Sequence, residues 1–293
     1  MKSLAAFCVF AFALALAARG ADTVTIKIGT ILPKGTTGHA RLMALRSEWA
    51  RLSDGKVNLV PMAGSADGEH QIIRHVRNER LQAALVSAVG LAQIDRSATC
   101  LQLIPLAFRD WREVDHVREQ IRGDLEGVLH QKGFQVLFWA DAGWVRFFSK
   151  TPAVRPADMK PMKMFVWTGD PQQLKILRDL GYDPVGLETE NILPSLMTGA
   201  INVVPVPPFL ANAAQYTKYV RHMVDINWAP IVGAAVVQRE VGEKIPAALR
   251  PKLLAAAAKE GELLRQQMRA EDDAAIVAME HNQRHPLTVH RVT

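Results

Sequence analysis

Alternating apolar and polar residues open the chain after its first two dozen positions. Residues 24–31 alternate with the two-residue period of a half-buried β-strand. A loop containing Pro33 and Gly35 follows, and the next apolar residues recur at helical spacing. They predict a helix that ends at Asp54 and Gly55, and they are Leu42, Leu45, Trp49 and Leu52.

Strand and helix patterns continue to alternate along the rest of the chain. Further strand patterns cover residues 57–61, 83–89, 135–140, 162–167 and 201–206. Ile72, Ile73, Val76 and Leu81 mark another amphipathic helix, and residues 247–281 predict one long helix or two joined helices. This alternation predicts an α/β fold with mostly parallel sheets covered by helices.

The first 21 residues have the pattern of a signal peptide. Lys2 precedes an apolar run over residues 4–18, and Ala15-Leu16-Ala17 offers a small-x-small cleavage pattern. A membrane anchor, the alternative, needs roughly 20 apolar residues, and Arg19 interrupts the run first. We therefore expect residues 1–21 to be removed and the remainder to be periplasmic.

Cysteine content and charge limit the possible functions. Cys100 is the one cysteine beyond the leader, so we expect no internal disulfide and a buried thiol at this position. The net charge is +6, without a basic run, which argues against a nucleic-acid partner. The acidic run Glu271-Asp272-Asp273 is expected to be a solvated helix face.

No catalytic or metal-binding constellation stands out. The loop between Gly29 and Gly38 lacks the Gly-Lys-Ser/Thr ending of a phosphate loop. His281 and His285 are four residues apart, as metal ligands on a helix would be, but Pro286 follows and no third ligand is nearby. We expect no metal, no cofactor and no enzymatic activity.

Several segments resemble, in order, the DctP-type receptors of tripartite ATP-independent periplasmic (TRAP) transporters. Ile-Pro-Leu-Ala-Phe at 104–108 resembles a Leu-Pro-x-x-Phe stretch, and Gly-Trp-Val-Arg at 143–146 a Gly-x-x-Arg stretch. Pro-Ala-Asp-Met-Lys-Pro-Met-Lys at 156–163 resembles Pro-x-Asp-Leu-Lys-Gly-Leu-Lys, and Leu-Met-Thr-Gly-Ala-Ile-Asn at 196–202 resembles Leu-Gln-Thr-Gly-Val-Val-Asp. The resemblance covers nearly the whole chain beyond the leader.

This resemblance implies the two-domain fold of a type II-like periplasmic binding protein, with a hinge and a long connecting helix. Domain I would comprise residues 22–142 and 229–255, and domain II residues 143–228 and 256–293. The domains would close on a small-molecule ligand, and TRAP membrane subunits would recognise the closed form.

The chain departs from the family where the solute is held. The family's carboxylate-binding arginine aligns with Phe165, and its polar asparagine aligns with Val206. A buried charge without its partner costs roughly 3–5 kcal/mol. We therefore expect a neutral or largely hydrophobic solute, held by an apolar wall of Phe165, Trp167, Val206, Trp144 and Phe209. The alternative is that Phe165 packs in a core and the solute is held elsewhere.

Two charged residues complete the predicted site. Arg146 matches the family's other pocket arginine and would hold one anionic or carbonyl group, or else form a structural ion pair. Glu69 would contact solute from domain I, or else lie at a solvated helix start. A periplasmic lipid or hydrophobic-ligand carrier with a soluble partner remains an alternative function, as does an enzyme on a binding-protein fold.

Overall fold

The computed structural model describes residues 23–64, 68–102 and 104–292. The predicted signal peptide lies outside these residues. Among the helices described, none combines the length and the apolar character that crossing a membrane requires.

The strands form one sheet. Their bounds are β1 (Val24–Thr30), β2 (Val57–Ala63), β3 (Ala83–Ser87), β4 (Phe134–Ser149), β5 (Lys163–Trp167), β6 (Asp183–Leu187), β7 (Val203–Val206), β8 (His222–Gln238) and β9 (Thr288–Arg291). The strand order is β2-β1-β3-β8-β4-β7-β5-β6, and β9 joins the start of β8.

Two long strands connect the halves of the sheet. β4 has 16 residues and β8 has 17, and they pair antiparallel along most of their length. The end of β8 pairs with β3, whereas the end of β4 pairs with β7. We call β1–β3, together with the start of β4 and the end of β8, the first half. The second half consists of β5–β7 and β9, together with the end of β4 and the start of β8. The β4–β8 register shifts between Asp141 and Trp144, where Gly143 has a φ of +91°.

Helices cover both faces of the sheet. Their bounds are α1 (Thr37–Leu52), α2 (Gly68–Arg77), α3 (Ala88–Leu91), α4 (Trp111–Gln131), α5 (Pro156–Met159), α6 (Pro171–Asp179), α7 (Ile192–Thr198), α8 (Pro208–Ala213), α9 (Arg239–Lys244) and α10 (Arg250–Glu280). Side-chain caps begin several of them; Asp110, for example, accepts hydrogen bonds from the first-turn amides of α4.

The 31-residue helix α10 joins the two cores. Leu264 and Met268 pack into a core that includes the β1–β2 strands, whereas Ala275 and Met279 pack into the core of the second half. The change of core therefore falls between Met268 and Ala275, further along the helix than residue 255. The division of the chain into two domains at the predicted boundaries stays a prediction.

The predicted α/β fold is confirmed, and five of the eight strand pairs among the described residues are parallel, as expected. The other three are antiparallel, because β4 and β8 cross between the halves: β4 pairs with β8 and with β7, and β8 pairs with β3. Cys100 was expected to be buried but is exposed. Cys100 follows a 3₁₀ turn (Arg96–Thr99). In this segment Ala98, and not Cys100, packs into the apolar core. The pattern over residues 247–281 forms one helix.

Candidate functional site

Half-buried apolar side chains follow the carboxyl ends of the parallel strands. In open α/β sheets, ligands bind outside these ends. β1 and β3 are parallel neighbours in the first half, and β5 is parallel to both β6 and β7 in the second. We call the half-buried apolar residues at these ends the apolar rim, which consists of Ile31, Leu32, Val89, Trp167, Leu187 and Phe209.

Contacts between the halves bring the two sets of strand ends together. A Cβ atom added at Gly68, in the first half, would lie 3.1 Å from Glu188 Oε2 in the second. One added at Gly169 would lie 3.5 Å from Val89 Cγ1. Phe209 packs against the main cores of both halves. The apolar rim is therefore assembled from both halves.

Phe165 lies behind this rim. Its side chain is fully buried in the core of the second half, together with Val206 and Phe148. Trp167 lies two residues along the same strand and meets the Phe165 ring edge-on, with centroids 4.8 Å apart. Trp167 is the half-buried member of the pair. The predicted solute contacts of Phe165 and Val206 are untested, and in this geometry both support the residues that face outward.

Trp144 is also buried, but in a different cluster from Phe165. Its ring packs against Trp111 at a centroid distance of 4.7 Å, within a small cluster that contains Val114 and Val232. Its contact with solute stays a prediction.

Arg146 is buried, with 8% of its surface exposed, and its charge is engaged. It forms an ion pair with Asp225, and its Nη2 donates to Asn227 Oδ1 at 3.2 Å. Burial lowers the pKa of Arg146, while the negative charges of Asp272 and Asp273 act in the opposite direction. These contacts match the ion-pair alternative for Arg146. Its buried Nε lacks a hydrogen-bond partner among the described residues, and solute binding by this atom stays a prediction.

Glu69 lies in the first turn of α2, but its carboxylate is not turned to solvent. It accepts hydrogen bonds from the amides of Ser87, at 2.7 Å, and Gly90, at 3.1 Å, and from the Ser87 hydroxyl. Burial raises the pKa of Glu69, and these hydrogen bonds counteract the rise. Glu69 thus holds the connection from β3 to α3 in place, next to rim residue Val89.

Asp272 was missed in the sequence. It was expected on a solvated face, but it is 2% exposed and accepts hydrogen bonds from the backbone amides of Trp144 and Phe209, each at 3.0 Å. Burial raises its pKa to about 6, against the effect of these two hydrogen bonds and of Arg146. The helical spacing of Leu264, Met268, Asp272 and Ala275 is the signal that would have placed it on the buried face.

The two histidines at the end of α10 have separate partners. The His281 ring contacts the Val277 carbonyl at 2.8 Å, and the His285 ring contacts Arg221 at 3.0 Å. Across the part of the chain that the structure describes, no group of three or more His, Cys, Asp or Glu side chains is placed to hold a metal ion.

Comparison with known proteins decides the family. The family model DctP, bacterial extracellular solute-binding protein family 7, matches residues 28–291. The chain belongs to this family. A solute-binding protein of Roseobacter denitrificans is 23% identical over 237 residues, which cover 74% of this chain and 67% of the relative.

Solved structures share the DctP-family fold. A TRAP periplasmic solute-binding protein from Xanthobacter autotrophicus Py2, with bound β-D-galacturonate, has a TM-score of 0.83 at 16% identity, over 92% of this chain and 89% of that one. An extracytoplasmic solute receptor of Bordetella pertussis binding pyroglutamic acid has a TM-score of 0.82 at 17% identity, over 91% and 87% of the two chains. At these identities the likeness establishes the fold.

Two charged residues near the rim of this DctP-family protein, Glu188 and Arg146, have partners of their own. Glu188 accepts a hydrogen bond from the Thr168 hydroxyl and lies against Gly68. Arg146, the predicted cation of the site, is paired with Asp225. The arrangement can bury apolar solute surface, and the guanidinium of Arg146 already has an acidic partner.

Proposed function

We propose that this protein is a periplasmic receptor that binds a small, neutral or largely hydrophobic solute and delivers it to TRAP membrane subunits. The observation that carries the proposal is the apolar rim, which six half-buried side chains form at the carboxyl ends of five strands from both halves. Family membership supports the receptor role, and the rim supports the class of solute.

The lack of a free guanidinium at Phe165 and Arg146 favours a solute without a strong acidic group. The relatives of known structure hold β-D-galacturonate and pyroglutamic acid, which are acids. A carboxylate buried here without a guanidinium partner would lose roughly 3–5 kcal/mol, a factor of roughly a hundred to a few thousand in affinity. Phe165 cannot supply that partner, and Arg146 already faces Asp225.

Burial of apolar surface would supply the affinity instead. Each Å² of apolar surface removed from water contributes roughly 25 cal/mol. Trp167 and Phe209 offer the largest apolar faces of the rim, and Phe165 stiffens Trp167 through their edge-to-face contact. A compact ring or branched hydrocarbon group suits such a surface better than a polyhydroxylated acid does.

A fluorescence titration tests the class of solute. We expect the neutral probe N-phenyl-1-naphthylamine to bind, and to bind much more weakly to Trp167→Ala. Trp228→Ala is the matched control, because Trp228 is also half-buried and also meets a buried phenylalanine, Phe147, edge-on at 5.1 Å. An equal loss of probe affinity in both variants would show that the apolar rim does not hold the probe. Micromolar binding of D-galacturonate or succinate would contradict the neutral-solute proposal.

The apolar rim is also compatible with a second candidate function, that of a lipid or hydrophobic-ligand carrier that works with a soluble partner. Mass spectrometry of organic extracts of the protein, purified from a periplasmic fraction, separates the two. Long-chain lipids in stoichiometric amount would favour the carrier. Solute uptake by vesicles that contain the membrane subunits, dependent on added receptor, would favour the transporter.

A further inference from the structure

One buried carboxylate joins three elements around the predicted solute site. Asp272, on α10, accepts the backbone N–H of Trp144 through Oδ2 and that of Phe209 through Oδ1. Trp144 belongs to β4, and Phe209 lies in the first turn of α8. Because α10 is also packed into the first-half core through Met268, Asp272 ties the start of α8 and the middle of β4 to the helix that joins the halves.

The backbone of β4 is shaped to accept this carboxylate. A Cβ atom at Gly143 would lie 2.5 Å from Asp272 Cγ, which is too close for any other residue without movement. Gly143 also has a φ of +91°, which a side chain disfavours. The β4–β8 register shifts at this point, between Asp141 and Trp144.

The groups that Asp272 holds are close to solute in the proposed site. Phe209 is a rim residue that touches both main cores. Trp144 pairs with Pro230 of β8 and lies two residues before Arg146, which pairs with Val206 at the end of β7. We propose that Asp272 is a positioning residue for solute binding, which fixes Phe209 and the 144–146 stretch of β4 in the geometry that solute meets. This proposal rests on the proposed function.

Both carboxylate oxygens are needed for this task. An ionised carboxylate accepts at each oxygen, whereas a protonated one turns one oxygen into a donor. A protonated oxygen would point its O–H at a backbone N–H, and two donors cannot form a hydrogen bond. Protonation would therefore break the hydrogen bond to the amide of either Trp144 or Phe209. Asparagine would do the same at every pH, because its amide nitrogen only donates.

The protonation state of Asp272 changes within an accessible pH range. Its pKa is raised to about 6 by burial, so it is mostly ionised at pH 7.5 and mostly protonated at pH 5. The charged groups that act on it are Arg146 from β4, which favours the ionised form, and Asp273 on α10, which disfavours it. α8 contributes the Phe209 amide and no charged side chain.

Titration of N-phenyl-1-naphthylamine from pH 5 to 8 tests the proposal. We expect the affinity of the unmodified protein to fall as the solution is acidified through about pH 6. Asp272→Asn should bind about tenfold more weakly at pH 7.5, the effect of losing one hydrogen bond to a charged group, and should lose the pH dependence. Asp273→Asn, which removes the neighbouring exposed carboxylate, is the matched control. It should keep the affinity at pH 7.5 and remain pH-dependent, with the midpoint moved to a somewhat lower pH because Asp273 raises the pKa of Asp272.

Amide hydrogen exchange supplies a readout that needs no solute. Peptides containing the Trp144 and Phe209 amides should exchange faster in Asp272→Asn than in Asp273→Asn, and Gly143→Ala should reproduce this increase by displacing the carboxylate. Unchanged exchange would overturn the proposal. A folded Asp272→Asn with the affinity and pH profile of the unmodified protein would do so too.

The two proposals fail in different ways. If the unmodified protein binds no probe at any pH, the apolar-solute proposal fails and hydrogen exchange alone decides the role of Asp272. If Asp272→Asn does not fold, the unmodified protein and Asp273→Asn still test it, because a pH-independent affinity in both overturns the positioning role.

Discussion

Phe165 and Trp167 meet edge to face on the same strand, with ring centroids 4.8 Å apart and ring planes at 76°. They are two residues apart in β5 and therefore project from the same face of the sheet. Phe165 is fully buried, whereas Trp167 is half-buried at the strand's carboxyl end. One ring thus belongs to the core, and the other rests on it and turns a face outward.

This difference predicts unequal effects on stability. Phe165→Ala should lower the free energy of unfolding by about 3–5 kcal/mol, because it leaves a cavity in a close-packed core. Trp167→Ala should cost less than half as much, since part of its surface is already in water. Urea unfolding of both variants measures the difference, and equal losses would show that Trp167 is also a core residue.

The sequence predicts the helices and strands of this fold better than it predicts how deeply each side chain is buried. Apolar and polar residues alternate over residues 24–28 of β1, and α10 keeps one buried stripe, so both elements can be predicted from their patterns. In β5 three consecutive residues are buried, because both faces of the strand are covered. The alternation of apolar and polar residues is then lost. The family resemblance aligns Phe165 with a solute-binding position, but it does not tell whether the ring faces solute or the core.

Long-range contacts explain the remaining differences. The acidic composition of residues 271–273 predicts a solvated face, but Asp272 is drawn inward by two amides that lie 63 and 128 residues away in sequence. The antiparallel pairing of β4 with β8 likewise joins segments far apart in the chain. The helical spacing of Asp272 indicates a buried position, but no local pattern identifies the amides that it meets or the pairing of β4 with β8.

The buried ion pair of Arg118 and Asp141 should dominate the electrostatic contribution to stability. Arg118 is 1% exposed, its Nη1 donates to Asp141 Oδ1 at 2.7 Å, and Arg269 Nε donates to Asp141 Oδ2 at 2.9 Å. Asp115 also pairs with both arginines. Asp141→Asn therefore leaves two guanidinium groups to share one carboxylate and should cost about 3–5 kcal/mol.

A surface pair provides the control for that variant. Lys175 and Asp179 are both largely exposed on α6, so Asp179→Asn should change the free energy of unfolding by about 0–1 kcal/mol. Chemical denaturation at neutral pH measures both. A loss below 1 kcal/mol for Asp141→Asn would mean that water reaches the buried cluster.

Two helical glycines should respond to alanine with opposite signs. A Cβ atom at Gly261, on α10, would lie 2.4 Å from Phe138 Cβ, whereas one at Gly127, on α4, would meet no heavy atom within 4 Å. Alanine in an open helix position gains about 0.5–1 kcal/mol over glycine. Overpacking against a buried ring costs typically 1–3 kcal/mol.

Thermal and urea unfolding should therefore find Gly127→Ala more stable than the unmodified protein and Gly261→Ala less stable. A stabilised Gly261→Ala would indicate that α10 can move away from β4 without loss. In that case the helix would be a weaker connection between the halves than its packing indicates.

The raised pKa of Asp272 predicts a pH dependence of folding that is separate from solute binding. The folded-state pKa of about 6 lies above the ordinary value of 3.8, so between these values the folded chain holds the proton more tightly than the unfolded chain does. The stabilisation from this proton is complete below about pH 4 and is lost as the pH rises through about 6, a change of about 3 kcal/mol. Asp272→Asn has no proton to lose, so the free energy of unfolding of the unmodified protein, minus that of the variant, should fall between pH 4 and 7. Asp273→Asn should still lose this proton-linked stability as the pH rises, but at a somewhat lower pH, because Asp273 raises the pKa of Asp272. A difference that rises with pH would mean that the two backbone N–H donors, together with Arg146, outweigh the cost of burying the charge.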